Sequence, residues 1–174
     1  MKVIKLNFSS QNQDITTLIN KKNVAAIGNF DGVHLGHKKL LKMAKTESEK
    51  ERLPFSVLTF DPHPRQFFSR GDSKFKIVND QEKQRLMEIN GVDYYVNLVF
   101  NNDLRNLVPH EFIKIILKNK LNVEKIFAGE NFRFGKNREG SLKDSESIFN
   151  KFFIKPTICK LLKNDSQNVV SSQL

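Results

Sequence analysis

Short apolar runs alternate along this chain with longer segments in which apolar residues recur at helical spacing. Strands are predicted over residues 2–8, 24–27, 55–60, 94–100, 125–128 and 153–162, with a further one over 168–172. Helices are predicted from after Gly32 to about Arg52, from Asn79 to Gly91, from Pro109 through Leu117, and over 144–152. Strands that alternate with helices build parallel sheets. We therefore expect an α/β fold with a mostly parallel sheet flanked by helices.

The length and the composition are those of one folded domain. At about 100 to 200 residues per domain, a chain of 174 residues corresponds to one domain. Its 39% of apolar residues, including 15 Phe, are enough to form a core. We therefore expect residues 1–174 to form a single domain.

The number of cysteines and the distribution of apolar residues predict the cellular compartment of this protein. Cys159 is the single cysteine, so neither an intramolecular disulfide nor a zinc site with paired cysteines is available within the chain. The amino terminus becomes polar before an apolar stretch of about 7 to 15 residues is reached, and no run of about 18 apolar residues occurs. These features predict a cytoplasmic protein that does not enter a membrane.

The net charge of +10 has two interpretations. It is compatible with a polyanionic partner such as nucleic acid. The favoured interpretation is that the lysines occupy solvated positions, because no block of five or six like charges occurs. A small phosphorylated substrate would also suit a basic protein.

Residues 28–37, with the sequence GNFDGVHLGH, carry the most informative pattern. They lie at the predicted carboxyl end of a buried strand and the start of a helix, which is where open α/β sheets bind ligands. Free backbone N–H groups and the helix dipole favour phosphate there. His34 and His37 are three residues apart, so on a helical turn both rings face one side and point at one anion. Two such donors would stabilise the charge that develops during phosphoryl or nucleotidyl transfer.

The two histidines have two alternative roles. A zinc-binding pair normally has i, i+4 spacing and a third ligand, whereas His34 and His37 have i, i+3 spacing without a cysteine cluster. A purely structural pair is the other alternative. Neither the dinucleotide fingerprint G-x-G-x-x-G nor the P-loop sequence G-K-[ST] is present in the segment.

Three stretches together resemble one known family. The H-x-G-H signature within residues 28–37 resembles that of the nucleotidylyltransferase superfamily. Residues 59–65, TFDPHPR, and residues 128–136, AGENFRFGK, narrow the resemblance to the FMN adenylyltransferase module of the bacterial bifunctional riboflavin kinase/FAD synthetase family. The similarity extends in order from about residue 22 to about residue 172.

This resemblance implies a Rossmann-like nucleotidylyltransferase fold and the reaction of FMN with ATP and Mg²⁺ to give FAD and pyrophosphate. The catalytic residues it implies are His34 and His37, which would hold the ATP phosphates. The ATP-binding residues it implies are Gly28, Asn29, Phe30, Asp31, Gly32 and Asn131. Mg²⁺ would be held mainly by phosphate oxygens and water, without a dedicated set of protein ligands.

The flavin side is implied by the same resemblance and consists of Asp61, Pro62, His63, Pro64, Arg65 and Phe68. A tight turn that merely ends a strand is the alternative for this segment. Candidate phosphate-binding residues are Arg133, Lys136, Arg138, Ser171 and Ser172. For the three basic residues the alternative is an exposed loop. The expected partners are ATP and FMN, with neither nucleic acid nor a membrane.

The carboxyl-terminal residues depart from the family pattern. The family has an S-S-T-x-x-R-like stretch after its last strand, whereas here Ser171 and Ser172 are followed by Gln173 and the sequence reaches Leu174 without the arginine. A riboflavin kinase domain is absent from these 174 residues, so riboflavin kinase activity is not expected of them. A fragment of a longer protein that includes a kinase domain, and a reduced family member, both fit this pattern.

Three functions follow in order of expectation. The first is FMN adenylyl transfer, and the second is nucleotidyl transfer to another phosphorylated acceptor. The third is a nucleotide- or RNA-binding module without turnover, which the composition supports weakly because aromatic residues do not alternate with arginines on a strand.

Overall fold

The computed structural model describes residues 1–12, 14, 16–30, 35–62, 80–160, 163–164 and 167–168. The strands are β1 (Lys2–Leu6), β2 (Asn23–Ile27), β3 (Phe55–Asp61), β4 (Tyr94–Val99), β5 (Val123–Gly129), β6 (Lys155–Cys159), β7 (Lys163–Asn164) and β8 (Gln167–Asn168). The α-helices are α1 (Leu35–Glu51), α2 (Asp80–Ile89), α3 (Asn102–Arg105), α4 (Pro109–Glu111) and α5 (Glu146–Lys151). A π-helical segment, Phe112–Lys120, continues α4, and a 3₁₀ turn spans Lys136–Arg138.

Six strands form one sheet in the order β1-β4-β3-β2-β5-β6, and each neighbouring pair is parallel. β2 is central, and all five of its residues are buried. This confirms the α/β fold expected from the alternation of strands and helices. Strands β7 and β8 form a separate antiparallel pair.

The two faces of the sheet carry two apolar clusters, and β2 contributes to both. Val24 and Ala26 pack on the side of α1 and α2, while Ala25 and Ile27 pack on the side of the π-helical segment. Alternate side chains of a strand point to opposite faces, so a strand covered on both sides is apolar throughout. This is why residues 24–27 read as a continuous apolar run.

A buried polar pair anchors the start of β2. The Asn23 side-chain amide donates to the backbone carbonyl of Leu121 at 2.7 Å, and its oxygen accepts from the Ser56 hydroxyl at 2.6 Å. Both side chains are fully buried. Because buried polar groups are costly unless they are hydrogen-bonded, these bonds fix β2 against β3 and the end of the π-helical segment.

Most predicted elements agree with the observed ones to within a few residues. The helix predicted from Pro109 differs, because it is α-helical for one short turn and π-helical from Phe112 to Lys120. Its apolar residues Phe112, Ile113, Ile116 and Leu117 are buried at spacings of one and three, which do not distinguish the two helix types. The short helix α3 was not predicted, although Asn101 caps it by accepting a hydrogen bond from the Leu104 N–H at 2.8 Å.

Gly91 ends α2 as predicted, with a φ of 75° in the left-handed region. Asn79, where this helix was predicted to begin, lies outside the described residues, as do most of residues 168–172, predicted to form a strand. Of that last segment the structure describes Asn168, in β8.

An ion-pair group joins α1 to β5. Lys125 Nζ lies 2.6 Å from Glu47 Oε1 and 3.1 Å from Glu51 Oε1. The hydrogen bond from Lys125 lowers the pKa of Glu47, and the same bond raises the pKa of Lys125. A carboxylate whose pKa is lowered by folding stabilises the protein above its ordinary pKa, and this contribution is lost as pH falls through the lowered value.

Glu47→Gln is therefore expected to destabilise the protein by less than about 1 kcal/mol at neutral pH, because the pair is partly exposed to solvent. The difference from wild type should shrink in acid, where the wild-type carboxyl is protonated. Urea unfolding at pH 7 and at low pH measures both values, with exposed Glu49→Gln on the same helix as the control. An equal difference at the two pH values would contradict a role for the charge.

Candidate active site

The three sequence motifs follow three neighbouring strands. β2 ends just before Gly28, β3 ends within the motif of residues 59–65, and β5 ends at Gly129. β2 lies between β3 and β5 and is parallel to both, so the chain leaves all three strands at the carboxyl edge of the sheet. With about 4.8 Å between adjacent strands, the ends of β3 and β5 are about 10 Å apart. A single small ligand is long enough to contact all three.

The turn after β2 is fixed by hydrogen bonds from two other elements. The Gly28 N–H donates to the Leu58 carbonyl at 3.1 Å, which continues the pairing with β3. The carbonyl of Asn29 accepts hydrogen bonds from Thr59 Oγ1 at 3.1 Å and from Lys83 Nζ at 3.2 Å. Asn29 is buried. The peptide that follows Asn29 is thus held in one orientation by β3 and α2.

Phe30 links this turn to the first turn of α1. It has a φ of 50°, in the left-handed region that residues with a side chain adopt at a cost. Its ring centroid lies 5.0 Å from that of His37, with 54° between the planes. Phe30 is 2% exposed and His37 is 1% exposed. Phe30 therefore packs against His37, so the turn conformation helps to set the position of the imidazole.

His37 is the third residue of α1, which has 17 residues. Its ring therefore lies in the first helical turn, where unpaired N–H groups and the dipole favour an anion. His37 therefore packs against Phe30 and also lies at the edge of the sheet that is predicted to bind phosphate.

Several predicted site residues lie outside the described part of the chain. They are Asp31, Gly32, His34, His63, Pro64, Arg65, Phe68, Ser171 and Ser172. The predicted convergence of His34 and His37 on one anion therefore stays a prediction.

The end of β3 brings the predicted flavin segment to the same edge. Asp61 is exposed, Pro62 is half-buried, and the peptide bond between them is cis. The Asp61 carbonyl accepts a hydrogen bond from the Phe100 N–H at 3.0 Å, which extends the β3–β4 pairing. This hydrogen bond fixes the end of β3, where the predicted flavin segment begins.

The loop after β5 is held against β3 by aromatic side chains. Asn131 is exposed, and its neighbour Phe132 is buried, with its ring stacked 6.2 Å from that of Phe60 on β3. Phe132 in turn stacks on Phe134 at 6.1 Å. This packing keeps Asn131 close to the carboxyl edge and leaves its side chain open to solvent.

The three basic residues of this loop, Arg133, Lys136 and Arg138, are all exposed. Arg133 Nη1 lies 3.4 Å from Asp144 Oδ2 in a surface ion pair. The Lys136 N–H donates to the Leu107 carbonyl at 2.7 Å, which ties the loop to the segment before α4. These contacts are compatible both with phosphate binding and with an exposed basic loop.

Two residues at the turn were not assigned a role from the sequence. Thr59 lies within the motif of residues 59–65, and Lys83 lies outside all three motifs. Lys83 is 54 positions from Asn29 in the sequence, so no local pattern reveals their contact. A role for Thr59 at the site could have been inferred from the sequence, because the residue lies near the carboxyl end of a predicted strand.

The chemical groups near this edge do not provide a thiol nucleophile. Burial raises the pKa of the Cys159 thiol, so the thiolate is disfavoured at neutral pH. Over the described ranges, no group of three or more His, Cys, Asp or Glu side chains is placed to hold a metal ion.

A sequence model of FAD synthetase matches residues 16–173. The chain belongs to the FAD synthetase family. It is 33% identical over 156 residues to a bifunctional riboflavin kinase/FMN adenylyltransferase of Buchnera aphidicola subsp. Acyrthosiphon pisum, covering 87% of this chain and 50% of that protein. It is 38% identical over 117 residues to the Escherichia coli K12 protein of the same name, covering 67% of this chain and 37% of that protein. This FAD synthetase family chain thus spans half or less of the length of these relatives.

The fold of this FAD synthetase family chain is also found in a solved structure. A Streptococcus pneumoniae protein described as a macrolide-efflux protein matches with a TM-score of 0.79 and 26% identity. The match covers 98% of this chain and 55% of that chain, which supports the same α/β arrangement. Across the part of the chain that the structure describes, no helix combines the length and the apolar character needed to cross a bilayer.

Proposed function

We propose that this chain transfers the adenylyl group of ATP to FMN, giving FAD and pyrophosphate. The observation that carries the proposal is the arrangement of β3, β2 and β5, whose three motif-bearing turns leave adjacent parallel strands at one edge. Membership of the FAD synthetase family supports this substrate pair over other phosphorylated acceptors.

The ATP side of the site is proposed to be the turn after β2 and the start of α1. Backbone at Gly28, Asn29, Phe30, Asp31 and Gly32 would shape the nucleotide pocket, and Asn131 would contact the nucleotide from the end of β5. His34 and His37 would donate hydrogen bonds to the phosphates. The buried contact between Phe30 and His37 supports a preorganised imidazole, which needs little rearrangement as charge develops.

The flavin side is proposed to be the segment from Asp61 through Phe68. Its start at the end of β3, next to the turn after β2, supports a flavin pocket that adjoins the ATP pocket. Pro62, Pro64 and Phe68 would offer apolar surface to the ring system, and Arg65 would meet the FMN phosphate. Arg133, Lys136, Arg138, Ser171 and Ser172 are further candidates for phosphate contacts.

The reaction needs no covalent enzyme intermediate. A phosphate oxygen of FMN attacks the α-phosphorus of ATP in line and forms a new P–O bond. The bond between the α-phosphorus and the oxygen that bridges it to the β-phosphate breaks, and its electron pair leaves with pyrophosphate. Positioning and electrostatic stabilisation would therefore supply the catalysis, and this is the role proposed for the two imidazoles and for the N-terminus of α1. ATP would enter as its Mg²⁺ complex, which is substrate here.

The cytoplasmic location of the protein stays a prediction, which is based on its single cysteine.

The test is incubation of the purified chain with ATP, Mg²⁺ and FMN, with FAD and pyrophosphate measured together by chromatography and a coupled assay. We expect both products in equal amounts. Pyrophosphate release only with a different phosphorylated acceptor would overturn the choice of FMN. Binding of nucleotide or RNA without any turnover would overturn the enzymatic proposal. Riboflavin with ATP, in a parallel reaction, is expected to give no FMN.

A further inference from the structure

The side chain of Lys83, on α2, extends to the turn after β2, where the candidate ATP site begins. Its Nζ donates a hydrogen bond to the Asn29 carbonyl at 3.2 Å, and the side chain is half-buried. Thr59 Oγ1 donates to the same carbonyl at 3.1 Å. A single peptide group at the end of the central strand thus receives two side-chain donors from two separate elements.

This contact fixes the direction of a peptide group. In a trans peptide the C=O and N–H groups point in opposite directions, so holding the Asn29 carbonyl towards Lys83 and Thr59 turns the Phe30 N–H away from them. Phe30 has a φ of 50°, a conformation that persists only where its surroundings enforce it. The two donors supply that enforcement from the side of β3 and α2.

The fixed orientation of this peptide group also influences the position of the His37 imidazole. Phe30 packs against His37 with 5.0 Å between ring centroids, and both rings are buried. A change in the peptide between Asn29 and Phe30 would therefore displace the Phe30 ring and remove the surface that orients His37.

The charge of Lys83 adds a second contribution. An ammonium group at this edge of the sheet attracts a polyphosphate, and a partly buried charge is screened less than an exposed one. A neutral donor in the same place would hold the turn without this attraction.

We propose that Lys83 is a positioning residue for ATP, which holds the turn of Asn29 and Phe30 and through it the imidazole of His37. The inference rests on the proposed function, because it assigns ATP phosphates to this edge. It concerns the ATP side, because the Asn29 carbonyl that Lys83 contacts lies in the turn after β2, whereas the proposed flavin segment begins at the end of β3.

The test compares Lys83→Met and Lys83→Arg with wild type. Lys83→Met keeps the aliphatic stem and loses the donor and the charge, and kcat/KM for ATP is expected to fall about 10- to 100-fold, as for loss of a hydrogen bond from a charged group. The KM for FMN should stay within about two-fold, because binding on the flavin side is unaffected. Lys83→Arg should restore most of the loss. If the Met variant does not fold, Lys83→Gln is compared instead; it loses the charge but keeps a shorter, neutral donor, so kcat/KM for ATP should fall to a smaller extent, with the KM for FMN unchanged.

Lys45 provides a matched control. Its Nζ donates to the carbonyl of Gly91 at 3.0 Å, so Lys45→Met also removes a lysine-to-backbone hydrogen bond, between α1 and the end of α2. Thermal midpoints of the two Met variants should be similar, with the ATP kinetics altered in Lys83→Met alone. Equal ATP kinetics in both variants would overturn the positioning role, as would an equal rise in KM for ATP and FMN.

Calorimetric binding of a non-hydrolysable ATP analogue separates this inference from the proposed reaction. If wild type binds the analogue and makes no FAD, while Lys83→Met binds it at least about 10-fold more weakly, the positioning role stands and FMN transfer is overturned. If wild type makes FAD and the Met variant binds the analogue equally well with unchanged kinetics, the reaction stands and the positioning role is overturned.

Discussion

Replacing His37 by Phe is expected to lower kcat about 10²- to 10³-fold, equivalent to about 3 to 4 kcal/mol of transition-state stabilisation. The Phe variant keeps an aromatic ring against Phe30 and removes the ring nitrogens, so most of the packing of this buried position is preserved. FAD formation at saturating ATP and FMN measures the rate, and thermal unfolding measures the packing.

His37→Ala further separates the catalytic role of the ring nitrogens from the packing role of the ring. It removes both the ring nitrogens and the packing, so we expect a similar loss of rate together with a larger fall in thermal midpoint than in the Phe variant. His110→Ala is the control, because His110 packs against Phe152 at 5.2 Å and is placed in no part of the proposed machinery. A Phe variant with wild-type turnover would remove His37 from the mechanism, and the same substitutions at His34 would then decide the role of that residue.

Phe134→Ala is expected to destabilise the protein by about 3 to 5 kcal/mol, the usual cost of truncating a fully packed aromatic residue. The Phe134 ring is 5% exposed and lies 5.1 Å from Phe112, 6.1 Å from Phe132 and 6.2 Å from Phe149, measured between centroids. Urea unfolding gives the free energy. The cavity would also loosen the loop that carries Asn131, so kcat/KM for ATP should fall in the folded variant.

Phe153→Ala supplies the comparison for this substitution, because Phe153 is 82% exposed and loses little burial on truncation. We expect its free energy of unfolding to stay within about 0.5 kcal/mol of wild type. A similar loss in both variants would show that the aromatic cluster of Phe112, Phe132, Phe134 and Phe149 does not hold the loop.

Hydropathy patterns predicted the sheet well because the central strand of a parallel sheet covered on both sides must be apolar on both faces. The run at residues 24–27 and the alternation with helical segments were enough to predict a parallel α/β sheet, and the structure confirms it. The helix from Pro109 was predicted in position but not in type, since its buried residues fit either α- or π-helical hydrogen bonding.

The candidate site was predictable only in part. The strings at residues 28–37, 59–65 and 128–136 indicated the family and its chemistry, and the family is confirmed by a match over residues 16–173. Whether the individual site residues act as proposed stays a prediction. The contact of Lys83 with Asn29 and that of Phe30 with His37 were not predictable, because each depends on how separate elements or turns meet in space.

The sequence by itself determined the family, the parallel sheet and the three motifs that are predicted to carry the chemistry, because these depend on residue type and local spacing. Only the tertiary structure decided the strand order that places β2 between β3 and β5. The same holds for the buried Phe30–His37 pair and for the lysine that reaches the Asn29 carbonyl across 54 positions. Long-range packing sets these distances, and local periodicity carries no information about which distant side chain a given backbone carbonyl will meet.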